Sequence, residues 1–331
     1  MRFQRKTLSQ LASDRDNGPV VSVVIPCYNQ ARYLDQAIDS LLAQTYRHVE
    51  IIVVDDGSPD NTHEVAARYG DRVRYVRKEN FGLPAAVNTG ILHATGEFLI
   101  YLDADDYLWP DMIARLVNAA QEHPGAAVYH GDCQYVDSNR NEMSWRRTRS
   151  LPDDAFHHLL KGNYFACHCL IFRRSILANA GLFDPTLRSN EDWDLWIRIA
   201  LAGGKFVSVP GAVGCYRQYP GSMSKNYERM WLTGLDVLRK NQRLHGNCPL
   251  CREAAAQGRR TLREGQFGNL WYDMRACQTA RDRWAFLGRA LRLIRRDPAL
   301  LRLFLREPVL RLRVRYGKRV KRLLRRIPAA R

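Results

Sequence analysis

From Val20 the chain alternates short apolar runs with stretches in which apolar side chains recur at helical spacing. Val20 to Ile25 is apolar except for Ser22 and is bounded by Pro26, which predicts a strand covered on both faces and ending at Pro26. Tyr33, Leu34, Ala37, Ile38, Leu41 and Leu42 then fall on one stripe, with Asp35, Gln36 and Asp39 facing away. This spacing predicts an amphipathic helix over 31–44. Ile51 to Val54 reads as a second buried strand, Thr62 to Tyr69 as helix and Val73 to Val76 as a third strand. A helix rich in small residues follows Gly82 to about Ala94. Phe98 to Leu102 gives a fourth strand, and Pro110 stands where a first helical turn favours proline.

Alternation of this kind, with short connections, predicts a doubly wound, mostly parallel sheet whose ligands bind at the carboxyl ends of the strands. Residues 126–216 read as a mixed extension of that sheet. Ala126 to His130, Leu170 to Phe172 and Phe206 to Val209 are its strands, and a helix lies near 191–202. From Tyr227 onward β-branched residues thin out and helical composition dominates, so a boundary is expected near 228.

The 331 residues carry 51 Lys and Arg against 34 Asp and Glu, a net charge of +17. Residues 283–331 hold 17 of the bases and only two acids, Asp297 and Glu307, so the body is nearly neutral and the end is basic. Met1 to Gly18 is polar, without the apolar stretch of about 7–15 residues that a secretory segment requires. Arginines break every window that approaches the ~18 apolar residues of a membrane span. The expectation is a cytoplasmic protein, peripheral on the inner face of the cell membrane. Eight irregularly spaced cysteines then fit reduced thiols better than a disulfide framework.

Chemistry gathers at the ends of the predicted strands. Asp55 and Asp56 follow the second strand directly, before Gly57 and Ser58. Asp and Gly suit any solvated turn, but Asp103, Asp105 and Asp106 repeat the arrangement after the fourth strand. Three carboxylates in four residues repel one another unless a cation lies among them, and hard oxygen ligands suit Mg²⁺ or Mn²⁺. A third cluster, Glu191, Asp192 and Asp194, is interleaved with Trp193 and Trp196 at a helix start. The helix dipole accounts for some of those acids. An acid beside flat apolar rings also suits a base acting on a hydroxylated acceptor, with Trp193 and Trp196 as the acceptor platform.

The runs VVSVVIPCYNQ at 20–30, IIVVDDGSPDNT at 51–62, NTGILHATGEFLIYLDADD at 88–106 and GLFDPTLRSNEDWDLWIRIALAGG at 181–204 resemble, in order and spacing, the family 2 glycosyltransferases of GT-A fold. The resemblance covers roughly residues 20–224. It implies a metal-dependent inverting enzyme that moves a sugar from a nucleotide-diphosphate donor, expected to be UDP-linked, to a glycan or lipid-linked acceptor. The expected GT-A domain spans 19–228, with a nucleotide-sugar half (19–125) and an acceptor half (126–228); composition adds a polar extension at 1–18 and a helical basic region at 229–331, both outside the resemblance. Pro26, Tyr28 and Asn29 would line the base and ribose pocket, Asp56 would accept from the uracil ring with Asp55 beside it, and Asn80 would sit near the nucleotide. Asp103 would face the ribose or the metal shell and Asp105 would bind Mn²⁺ or Mg²⁺. Asp192 would be the general base, with Glu191 in reserve. The segment Tyr216 to Ser222 is similar to the family's loop over the diphosphate, with Arg217, Ser222 and Ser224 towards phosphate. Many relatives carry His where Tyr219 stands, a departure that leaves open whether the metal has a third protein ligand there. The chain has no Gln-x-x-Arg-Trp sequence of processive relatives, so a single transfer per encounter is expected.

Other features carry less. Cys248-Pro-Leu-Cys251, with His245 before it, has the spacing of half a zinc site, but no second pair occurs and Cys277 is the only further cysteine nearby. Cys167, His168 and Cys169 read as a packed strand. Leu287, Ala290, Leu291 and Ile294, and again Val320, Leu323, Leu324 and Ile327, form apolar stripes backed by arginines and lysines, as helices lying on an anionic membrane surface do. Pro298 and Pro308 cut this region into short helices. The basic end leaves nucleic-acid binding as a rival reading, disfavoured because the body has no recognised binding motif. A catalytically silent sugar-nucleotide binder is a third.

Overall fold

A computed structural model describes residues 18–219, 221–276 and 279–301 of the chain. Among these, one compact unit runs up to Lys225 and takes in Thr233–Arg259, and a second comprises Asn226–Leu232 and the chain from Arg260 on.

The first unit is a nine-stranded sheet flanked by helices. β1 (Val21–Cys27), β2 (Val49–Asp55), β3 (Arg74–Arg77) and β4 (Phe98–Tyr101) are parallel, joined through α1 (Ala31–Leu42), α2 (Thr62–Ala67) and α3 (Leu83–His93). After β5 (Tyr107–Leu108) and α4 (Met112–Glu122) come β6 (Val128–Val136), β7 (Glu142–Arg146), α5 (Ala155–Leu159), β8 (Leu170–Arg173), α6 (Leu177–Ala180), α7 (Glu191–Leu201) and β9 (Phe206–Arg217). The order is β3-β2-β1-β4-β8-β6-β9-β5, with β7 paired to β6. β1 to β3 build outward on one side and β4 lies on the other, so the direction of winding reverses between β1 and β4, where an open α/β sheet leaves a crevice. β8 runs antiparallel to β4 and to β6, which makes the second half mixed.

The core follows from the stripes: Leu34, Ala37, Ile38 and Leu41 of α1 and Ile113, Leu116 and Val117 of α4 pack with Val23, Ile25, Val53 and Ile100 of the sheet. Three expectations are corrected. β1 continues through Pro26, paired opposite Val54, to Cys27. Pairing of β1 with β4 has ended by then, with Leu102 N donating to Val24 O, so the donor that Pro26 lacks has no ladder to join. β9 does not stop at Val209 but continues to Arg217, after a register shift between His130 and Asp132 of β6. Cys167 to Cys169 is a turn ahead of β8, not a strand. The short strands β5 and β7 carry too little periodicity to be read from sequence.

Of the helical remainder, α8 (Tyr227–Leu244), α9 (Pro249–Ala276) and α10 (Ala280–Arg296) are described. The end of α10 is tied to α9 by Asp297, which accepts from Arg263 Nε and a terminal guanidinium nitrogen at 2.7 and 2.8 Å. Phe286, Ala290 and Leu293 of α10 are buried, whereas Leu287 and Leu291 of the expected surface stripe are exposed. The stripe at Val320 to Ile327 lies outside the described residues.

The β6–β9 contact gives a stability prediction. A Cβ on Gly131 would lie 2.0 Å from the backbone oxygen of Ala212, so Gly131→Ala must push the two strands apart. It should cost ~1–3 kcal/mol and lower the thermal midpoint, whereas Gly125→Ala, with nothing within 4 Å, should leave it almost unchanged. Equal midpoints for the two variants, read by thermal denaturation, would refute the close approach.

Candidate active site

β4 and α7 bring two acidic motifs together. Tyr101, the last residue of β4, is fully buried, and its hydroxyl lies 2.8 Å from Asp103 Oδ1 and 3.3 Å from Glu191 Oε1. Carboxyl groups 88 positions apart in the chain thus share one phenol. Burial, reinforced by Asp192 beside it, pushes Glu191 up to about 8. Glu191 therefore holds a proton near neutrality, and one phenolic hydrogen need not serve two carboxylates. Burial, reinforced by Asp105, likewise pushes Asp103 up to about 6.

The turn after β4 is held from three sides. Asp106 accepts from the Arg217 backbone N–H at 2.7 Å, and its other oxygen lies 3.0 Å from His168 Nδ1. Burial alone would lower His168, but the Asp106 carboxylate outweighs it and holds the ring up at about 10. The Arg217 side chain donates to Asp105 O at 2.8 Å and Ser138 O at 2.9 Å and to Gln36, and it lies over the Tyr33 ring. Arg217, only 3% exposed, is thus committed to the turn itself. Asp105 Oδ2 accepts from the Tyr219 hydroxyl at 2.8 Å, which in turn accepts from Gln30 Nε2.

A cavity of about 260 Å³ opens at this edge, lined among others by Pro26, Tyr28, Asp103, Asp105, Arg217 and Tyr219. A larger hollow of about 870 Å³ lies at the opposite edge, where β6 and β9 begin, with Glu122, Asp153 and Asp154 in its lining. Asn29 (φ +57°) stands next to the small cavity and its N–H donates to Ser58 Oγ. Asp55 and Asp56 are buried behind it. Asp55 accepts from Ser58 N and from the Tyr75 hydroxyl, and Asp56 accepts from Lys78 Nζ and from the N–H groups of Phe81 and Gly82. Asp56 so fixes the turn that carries Asn80, whose Oδ1 also accepts from Gly82 N–H. Neither aspartate lines the cavity in this structure.

Asp192, half-buried, accepts from Asn163 Nδ2 at 3.0 Å and from the Trp193 N–H; burial pushes its carboxyl up. Asn190, left-handed at φ +56°, turns the chain into α7 and sets the pair at its first turn. Asp194 points the other way, fully buried against Arg198, Lys240 and Asn241, and docks α8 onto α7. The expected acceptor platform is corrected: Trp193 and Trp196 are 1% and 0% exposed. Trp193 donates to Leu159 O and Trp196 packs on Phe172, because their positions on α7 face the sheet. His168 and Asn88 were missed. Asn88 exchanges two hydrogen bonds with the Phe183 backbone and anchors the loop leading to α7, a role without a sequence signal. His168 was hidden by an apparent strand pattern.

The carboxylates fit a hard divalent cation. Glu191 Oε2 is buried without a hydrogen-bond partner, and Asp103, joined to Glu191 through the Tyr101 hydroxyl, faces the cavity together with Asp105. Like charges so close in a low dielectric repel unless a proton or cation intervenes.

The raised Glu191 has a consequence for stability. The unfolded chain releases this proton near 4.5 but the folded one keeps it to about 8, so stability falls as pH rises through that window. Glu191→Gln should therefore match the parent near pH 4.5 and exceed it above pH 8, by on the order of a few kcal/mol. A difference in thermal midpoint that stays flat across the window would place Glu191 in solvent.

Residues 22–181 match the family model described as glycosyl transferase family 2. A Rickettsia felis protein described as an uncharacterized glycosyltransferase is 38% identical over 189 residues, 55% of this chain and 31% of the relative. The Bacillus subtilis protein EpsJ, described likewise, is 29% identical over 218 residues, 62% of this chain and 63% of the relative. The chain thus spans less than two thirds of these relatives. Staphylococcus aureus TarS 1-349 in complex with UDP-GlcNAc superposes with a TM-score of 0.61 at 17% identity, covering 84% of this chain and 81% of that one. The mannosyltransferase PcManGT from Pyrobaculum calidifontis, in complex with GDP-Man and Mn²⁺, gives 0.55 at 22%, covering 86% and 83%. Family model and architecture agree, and the chain carries a glycosyl transferase family 2 domain of GT-A fold.

Proposed function

We propose that the chain transfers a sugar from a nucleotide-diphosphate donor to an acceptor hydroxyl with inversion, in the assembly of a cell-surface glycan. The observation that carries this reading is the Tyr101 hydroxyl lying between Asp103 and Glu191, which ties the acidic turn that lines the cavity to the helix start bearing the candidate base. Donor complexes of the structural neighbours, with UDP-GlcNAc and with GDP-Man and Mn²⁺, support the donor class. Asp103 and Asp105 would hold Mn²⁺ or Mg²⁺, which supplies charge neutralisation at the leaving diphosphate when bound.

The side chains divide the remaining work. Pro26 and Tyr28 wall the cavity where the nucleoside would lie, and Asp56 fixes the turn bearing Asn80. Arg217, through Asp105 O and Asp106, keeps the acidic turn in shape rather than reaching for phosphate. Asp192 is the better base: it lies on the same helical turn as Glu191 but is held by Asn163 in a fixed rotamer, while Glu191 retains its proton near neutrality.

Asp105→Ala should abolish transfer and metal-stimulated donor hydrolysis. Asp192→Asn should keep nucleotide binding and lose ~10²–10⁴-fold in turnover. Turnover unaffected by Asp192→Asn would move the base elsewhere, and full metal stimulation in Asp105→Ala would remove the turn from the reaction.

We infer in addition that α10 lies on anionic lipid. Trp284, Leu287 and Leu291, at i, i+3 and i+7, are 71%, 43% and 48% exposed on a helix with six arginines. No described helix is long and apolar enough to cross a membrane. Each basic residue near an anionic surface contributes ~1 kcal/mol. Trp284→Ala with Leu291→Ala should weaken sedimentation with anionic vesicles at physiological salt. Tighter binding to duplex DNA than to vesicles would overturn this placement.

A further inference from the structure

His157, His245, Cys248 and Cys251 converge outside the candidate active site, their ligand atoms all within 4.8 Å of one another. Cys251 Sγ lies 3.2 Å from His245 Nδ1 and 3.3 Å from His157 Nε2, and Cys248 Sγ lies 3.5 Å from the same Nε2. Tetrahedral zinc, with Zn–S near 2.3 Å and Zn–N near 2.0–2.1 Å, sets sulfur-to-nitrogen edges of about 3.5 Å. The four side chains therefore stand close to the corners of such a tetrahedron. We propose that they form a closed zinc site of two cysteines and two histidines.

Three segments build it. His157 comes from α5, His245 from just beyond α8, and Cys248 and Cys251 from the start of α9. Gly246, left-handed at φ +61°, turns the chain so that His245 faces the first turn of α9. Cys248 precedes Pro249 and Cys251 lies within that turn, where the positive end of the helix dipole favours thiolates. The fourth corner is what the linear pattern lacked: His157 lies 88 positions before His245.

An outer partner completes the chemistry. His157 Nδ1 lies 2.8 Å from both carboxylate oxygens of Asp154, the residue capping α5. A ring that donates from Nδ1 to a carboxylate presents the Nε2 lone pair to the sulfurs, as metal-bound histidines do. A bare redox pair of cysteines has no use for two histidines at these distances. With four protein ligands the site leaves no open position, so its role is structural. It would staple the α8–α9 turn to α5, and α5 carries Leu159 O, the acceptor of Trp193 on α7. The zinc site thereby braces the helix bearing Glu191 and Asp192 without contacting the cavity.

Metal analysis of the full chain purified without chelator should find one zinc per molecule. Replacement with Co²⁺ should give the thiolate-to-cobalt charge-transfer band, which an ion on the aspartates cannot produce because its ligands are oxygen. Cys248→Ser and Cys251→Ser should each lose the zinc and the band, and the milder Asp154→Asn should weaken zinc affinity ~10–100-fold while keeping both. Stripping the zinc should lower the thermal midpoint, while nucleotide-dependent stabilisation by UDP persists. Reduced protein that holds no zinc and shows no cobalt band, zinc retained in Cys251→Ser, or a Cys248–Cys251 disulfide in the protein as isolated would each overturn the proposal. These readouts do not depend on sugar transfer.

Discussion

The arrangement at the candidate site rests on keeping like-charged carboxylates together in a poorly solvated crevice. Asp103, Asp106 and Glu191 are out of bulk water, and each would be forced neutral or apart if left alone. The structure meets this cost with groups of three kinds. His168 supplies a buried positive charge to Asp106, Arg217 closes the turn from β9, and Tyr101 lies between the two motifs. Asp103 and Asp105 are left lining the cavity, where a divalent cation would offset their charge.

The long β9 strand is the mechanical counterpart of that electrostatic arrangement. Its first residues pair with the beginning of β6, and after the Gly131 shift its last residues reach the acidic turn. Arg217 arrives there as the final residue of a strand, with its backbone N–H on Asp106 and its guanidinium on Asp105 O. A loop in the same place would have to order itself on donor binding, whereas a strand end is already positioned. α7 is fixed in a similar way, by Trp193 and Trp196 inside and by Asp194 against α8. The tryptophans that resemble an acceptor platform in the sequence are the anchor of the helix whose first turn presents the acids.

The two histidine-containing clusters show how much depends on partners distant in the chain. His168 finds Asp106, and His157 finds Cys248 and Cys251. In each case one member has an ordinary local explanation, a strand residue or a helix surface residue. Only the meeting with the other gives it chemistry.

The sequence alone determined the β1–α1–β2 rhythm, the buried strands and the positions of the acidic turns, because period and turn chemistry are local properties of a chain. Asp55, Asp56, Asp103 and Asp105 were legible for that reason, and so was the family. Only the tertiary structure decided which acids line the cavity and which brace a turn, that Arg217 is engaged by the acidic turn, that the α7 tryptophans are core, and that His157 stands opposite Cys248 and Cys251. Those outcomes depend on the faces on which helices pack and on a strand extended by one bulge. Contacts between residues tens of positions apart set them, and no window of sequence contains those contacts.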